Sequence, residues 1–168
     1  MFELDIPSIS AIIAAVGVLI GVVIAVVELR NLVKQRQTDL VTRLSRDIAV
    51  DERALDAFVD IMEAEFDDYD DFVKKNGKFI SKNQVPRSFM MIGNSFEQIG
   101  VLLRNKLIDA SLVEQLFPIS IMWEKMEPLV EGMRKEYHDP TFFEWFEYLY
   151  NEMKKREQKL RQAGVRNG

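Results

Sequence analysis

Apolar residues follow one another from Ile9 to Val27 without a single charge, and beyond Val27 they return at spacings of three and four. The two patterns predict two kinds of helix. The first run, at about 1.5 Å rise per residue, makes a rod roughly 29 Å long, close to the hydrocarbon thickness of a bilayer. Leu29, Val33, Leu40, Leu44 and Ile48 carry a weaker stripe onward, which predicts one continuous helix to about residue 48.

Four amphipathic rows follow. Leu55, Phe58, Met62, Phe66, Tyr69 and Val73 form the first, stopped by Asn76 and Gly77. Val85, Phe89, Ile92, Phe96, Ile99 and Leu103 form the second, with Pro86 in its first turn, where a missing N–H costs nothing. Leu112, Leu116, Ile119, Trp123, Met126, Val130 and Met133 form the third after Asp109 as N-cap, with a kink or break expected at Pro118 and Pro128. Asp139 and Pro140 open the fourth, which runs through Phe142, Phe146, Leu149, Met153 and Leu160. No window alternates with the period of a strand.

The expected fold class is therefore all-α: an N-terminal transmembrane helix extended into a cytoplasmic antiparallel helical bundle. Its parts are an N-terminal segment and anchor (1–28), a juxtamembrane helix (29–50), the bundle (51–163) and a flexible tail (164–168). The short connections between rows are what predict antiparallel neighbours.

Charge decides the orientation. Glu3 and Asp5 precede the apolar run, whereas Arg30, Lys34, Arg36, Arg43 and Arg46 follow it. A cleaved signal peptide has the opposite order, with a basic leader and a shorter apolar core. Basic residues are held back on the cytoplasmic side, so the expectation is a single-pass cell-membrane protein with its N-terminus outside and the bulk of the chain inside. The 168 residues contain no cysteine, which removes disulfides, thiolate nucleophiles and cysteine-ligated metals. A net charge of −5 lacks the basic footprint of a nucleic-acid binder.

Candidate chemistry is sparse. His138 is the sole histidine, so a His-rich metal site cannot be built, and its place before a helix cap reads as solvated. The pairs Glu124/Glu127 and Glu144/Glu147 read as helix surface, and the glycines form no phosphate-binding loop. Between Ala54 and Val73 the acids Asp56, Asp60, Glu63, Glu65, Asp67, Asp68, Asp70 and Asp71 meet no Lys or Arg. Asp67, Asp68, Asp70 and Asp71 are the candidate partner surface, for a basic partner or weakly for a divalent cation, though they lack the Gly and distal Glu of an EF-hand. A solvated face that repels membrane phosphates is the plainer account. Lys154, Lys155, Arg156, Lys159, Arg161 and Arg166 form the opposite cluster, facing anionic lipid or simply complementing a helix dipole. Within the span, Gly17, Gly21 and Ala25 recur every fourth residue and are the candidate face for helix packing, by self-association or on another membrane subunit.

The stretch Ser95-Phe96-Glu97-Gln98-Ile99-Gly100, then Leu103, Leu107, Ile108, Asp109 and Leu112, then Trp123, Pro128 and Arg134, resembles a family of uncharacterised bacterial and archaeal proteins. Its members have a short N-terminal membrane anchor and a helical domain of unknown function. The resemblance covers roughly residues 8 to 150, implies an anchored helical domain and brings no catalytic residue. The expected function is a membrane-anchored, noncatalytic interaction or accessory-subunit module. Its expected partners are the lipid bilayer and a membrane or membrane-proximal protein or a second copy, with no cofactor and no nucleic acid. The alternative is a membrane-tethered ligand sensor or enzyme using carboxylates and the aromatic residues Phe142, Phe143, Trp145, Tyr148 and Tyr150.

Overall fold

A computed structural model describes residues 6–49, 51–162 and 164, with the side chains of residues 6–9, 11–13 and 47–49 excepted. Glu3, Asp5, Arg166 and the side chains of Ile9 and Ile48 lie outside the described residues, as does the tail apart from Gly164. Within the described residues the chain is all-helical, with seven helices and no strand. It divides into two units, Met1–Asp39 and Leu40–Gly168.

Within the described residues, the first unit is a single helix. Helix α1 runs through Ile6–Ala49, so the apolar run and the weaker stripe do form one helix. Val18, Leu19, Ile20 and Val23 are all more than half exposed, and so are Leu29 and Val33. A Cβ added at Gly17 or Gly21 would meet nothing within 4 Å.

The second unit begins on the last turns of α1, where Val41 is 1 % exposed and Leu40 and Leu44 pack against the core. Helices α2 (Glu52–Glu63), α3 (Tyr69–Asn76), α4 (Gln84–Arg104), α5 (Ala110–Leu116), α6 (Ile119–Tyr137) and α7 (Glu144–Gln162) follow. The predicted second row is α4, its stripe of Phe89, Ile92, Phe96 and Ile99 fully buried. The third divides into α5 and α6 at Pro118, while Pro128 stays inside α6. Asp109 caps α5 through Ser111 N–H, as its position predicted.

Four sequence expectations are corrected. The first row is two helices, because the chain turns extended at Ala64 and restarts at Asp68, whose carboxylate accepts from Asp71 N–H and caps α3. Short acidic side chains compete for backbone donors, so they start helices better than they continue them. Within α2 the buried residues are Ala54, Ala57 and Ile61, whereas Leu55 and Met62 face out at 48 % and 39 % exposure. The small alanines let α2 lie close on α4 with Ile61 beside them, and Leu55, Val59 and Met62 are left on the other side. Likewise Val113 and Phe117 are buried around the α5–α6 break, not Leu116.

The fourth row starts late. Asp139 caps a turn instead of a helix, accepting from Thr141 N–H and Oγ1. Phe143 then takes a left-handed backbone, φ +54°, before α7 begins at Glu144. A bulky residue adopts that conformation only when its surroundings hold it there. Phe143 is buried against Gly93 of α4, with its Cζ 2.5 Å from where a Cβ at that glycine would stand. One and two turns further along α4 come Glu97 and Gly100, and a Cβ at Gly100 would collide with the main-chain carbonyl of Trp145. One face of α4 thus admits the backbone of the segment that starts α7. Phe96 and Phe146 stack beside it with ring centres 4.8 Å apart, and Trp123 meets Phe146 edge-on at 5.0 Å.

Gly100→Ala raises helix propensity by about 1 kcal/mol yet pushes against an immobile carbonyl, so the expected net result is a loss of roughly 1–3 kcal/mol in stability. Trp123, 2 % exposed, leaves a core cavity when cut to alanine, an expected loss of about 3–5 kcal/mol. Urea melts of the full chain in detergent measure both, with Gly17→Ala as the variant expected to lose nothing.

Candidate functional site

The four aspartates of the predicted partner surface do different jobs. Asp68 caps α3, and Asp71 bonds Lys75 at 2.8 Å and accepts from Asp67 N–H. The Lys75 ammonium holds the Asp71 carboxyl below its usual range. Asp67 and Asp70 remain exposed. Asp68 and Asp70 stand at the rim of a groove of about 700 Å³ between α3 and α6, lined also by Tyr69, Lys78, Glu131 and Glu136. Gly132 lines it too, and a Cβ there would run into the Tyr69 ring. The Tyr69 hydroxyl donates to the Glu136 carboxylate, which also accepts from Lys78 at 3.2 Å. The α6 half of this groove was not visible in the sequence, because Glu131 and Glu136 lie some sixty residues from Asp70 in an ordinary surface pattern.

The other candidates are spread apart. Glu124 takes a hydrogen bond from the Tyr150 hydroxyl and sits 3.5 Å from Lys154, while Glu147 pairs with Arg134. The grooves described are lined by none of Glu124, Glu127 and Glu144. His138 is exposed in a left-handed conformation, φ +52°, and ends α6. The aromatic residues of 142–150 do not share a pocket: Phe143 is buried on α4, Phe142 stacks on Tyr137, Tyr150 stacks on Trp123, and Trp145 meets Tyr148 edge-on. In the basic cluster, Lys154, Lys155, Arg156 and Arg161 each have an acidic partner. Gly17, Gly21 and Ala25 lie exposed along α1.

Two polar residues hold the start of α7, and neither was singled out for that role by its spacing. The Glu97 carboxylate, reaching from α4, accepts from Phe146 N–H at 2.8 Å and so caps a helix that is not its own. Burial pushes its pKa above the usual carboxylate value, against the pull of the Phe146 and Trp145 amides. Arg134, with only 13 % of its side chain exposed, donates to Phe142 C=O and to Glu131, and its Nη2 lies 2.8 Å from Glu147. Together they tie α4, α6 and the 138–143 turn to one point. The signal available in the sequence was an isolated acid between two glycines of α4, and it reads as surface until α7 is placed.

A carboxyl that binds its proton more tightly when folded favours the folded state at low pH. Native stability should therefore decline as pH rises from the ordinary carboxylate pKa through the raised one, a decline that Glu97→Gln removes while keeping an acceptor. Urea midpoints measured across pH 4 to 8 test it. In the acidic run, Asp68→Ala should cost about 1 kcal/mol as a lost cap. Asp67→Lys with Asp70→Lys should leave the melting temperature unchanged, since exposed charges contribute little.

No curated protein and no solved structure matches the chain. One family model does, over residues 12–153, from the apolar stretch of α1 to Met153 of α7, and the matched stretch includes Glu97, Gly100, Trp123 and Arg134. With most of its length inside that match, the chain belongs to the family described as a domain of unknown function, DUF4760.

Proposed function

We propose that the chain is a membrane-anchored, noncatalytic interaction or accessory-subunit module that presents its helical bundle at the cytoplasmic face. The observation that carries this reading is α1. Its apolar window is long enough to cross a membrane, has a mean hydropathy of 2.2, and is 0 % buried by the rest of the chain. A buried helix of a soluble domain would have its apolar side chains covered, and leaving a stretch of this size in water is strongly unfavourable. Lipid is the solvent that fits it. The basic residues Arg30, Lys34, Arg36, Arg43 and Arg46 come only after the apolar run, which supports the inward orientation of everything that follows.

The interaction role is supported by what the bundle does with its polar residues. Glu97, Arg134, Asp68, Asp109 and Asp139 are spent on helix ends and turns. The exposed face of Gly17, Gly21 and Ala25 would allow close approach of a second helix in the bilayer.

In membranes prepared from expressing cells, the full chain should resist extraction by alkaline carbonate, and a reporter fused after Gly168 should be active only as a cytoplasmic fusion. A chain released by carbonate would end the anchor reading, and an exported reporter would reverse its orientation. Gly17→Ile with Gly21→Ile should lower cross-linking of the span to itself or to a co-purified membrane subunit. Unchanged cross-linking would remove that face as the contact.

A further inference from the structure

Helix α2 is apolar on more of its surface than the bundle covers. Its core face is Ala54, Ala57 and Ile61, all buried. Leu55, Val59 and Met62 remain exposed at 48 %, 48 % and 39 %. At 3.6 residues per turn these three positions fall within an arc of about 60°, so they form one continuous seam and not scattered surface residues. Along the outer edge of that seam stand Glu52, Asp56 and Glu63, all exposed, and none makes an ion pair among the described residues.

We infer that the exposed seam of α2, Leu55, Val59 and Met62 with its border of Glu52, Asp56 and Glu63, docks a basic amphipathic helix of a partner protein. The inference rests on the interaction-module reading and gives it a surface and a partner chemistry. Charge complementarity chooses the occupant. A second copy laying the same seam on this one would bring like carboxylates together, which is repulsive. The anionic surface of a cytoplasmic leaflet would be repelled for the same reason. A helix with apolar residues at positions i, i+3, i+4 and i+7 and Lys or Arg beside them satisfies both parts of the face: the apolar residues cover the seam, and the cations meet carboxylates that nothing else engages.

The test uses the full chain in mild detergent and, as probe, a short fluorescent peptide with a leucine seam flanked by lysines. The expected result is saturable binding that Leu55→Ser with Val59→Ser weakens by roughly tenfold or more. Glu52→Gln, Asp56→Asn and Glu63→Gln together should weaken it about severalfold and flatten its dependence on salt. All five side chains are exposed, so circular dichroism should show the helices unchanged. Equal binding by the serine variant, or equal binding of a peptide with the same residues scrambled, overturns the inference. So does self-association of the chain that the serine substitutions abolish, which would assign the face to a second copy. Quenching of a bimane label on Val59→Cys by brominated lipid in nanodiscs would assign it to the bilayer instead, with the same consequence. Because the peptide assay is done in detergent, it reads α2 whether or not α1 spans a membrane, while carbonate extraction reads α1 alone.

Discussion

The approach of backbone to backbone where α4 meets the start of α7 is the contact on which the second unit depends. Gly93 leaves room for Phe143, Gly100 leaves room for the Trp145 carbonyl, and Glu97 between them supplies the acceptor that the first turn of α7 lacks. Space and hydrogen bonding are therefore provided by one face of one helix. A larger residue at either glycine would hold α7 away, and the Phe96–Phe146–Trp123 sequence of ring contacts would lose its middle member. The left-handed Phe143 is a consequence: its conformation is unfavourable alone and is held because the ring is buried between α4 and its neighbours.

The helices read most clearly from the sequence were those with the longest uninterrupted stripes. The stripe from Phe89 to Ile99 and the stretch from Ile119 to Met133 have large apolar residues at helical spacing, and burial followed them directly. The first row misled because apolar residues surround more than half of α2, so periodicity alone could not say which side faces α4. The decision went to the smaller residues, Ala54 and Ala57, since close packing on a neighbour depends on fit as well as hydrophobicity. At the fourth row, Asp139 and Pro140 carry a helix-start signal that the sequence shares with a tight turn, and only the tertiary contact of Phe143 distinguishes them. Val41, fully buried, sat one position off the expected stripe of Leu40 and Leu44.

For the candidate site the division is similar. The acidic run was legible as charge, but its members' roles were not: a capping carboxylate and a free one look alike until the backbone is placed, as Asp68 and Asp70 do. The α3–α6 groove needs Glu131, Gly132 and Glu136, distant in sequence, and Glu97 gains its role only from the arrival of α7. The seam on α2 is hidden in the sequence because Leu55 and Met62 have the helical spacing of core residues, and only the placement of α4 leaves them exposed.

An exposed apolar helix and a separately packed bundle leave one proposition on which the functional reading turns: α1 is solvated by lipid. The chain has no cysteine of its own, so single cysteines report cleanly on their surroundings. In sealed vesicles, Ile20→Cys should resist a membrane-impermeant maleimide from either side, while Lys82→Cys, in the exposed segment between α3 and α4, should react only from the cytoplasmic side. Ile20→Cys reacting as readily from water as Lys82→Cys would contradict the account.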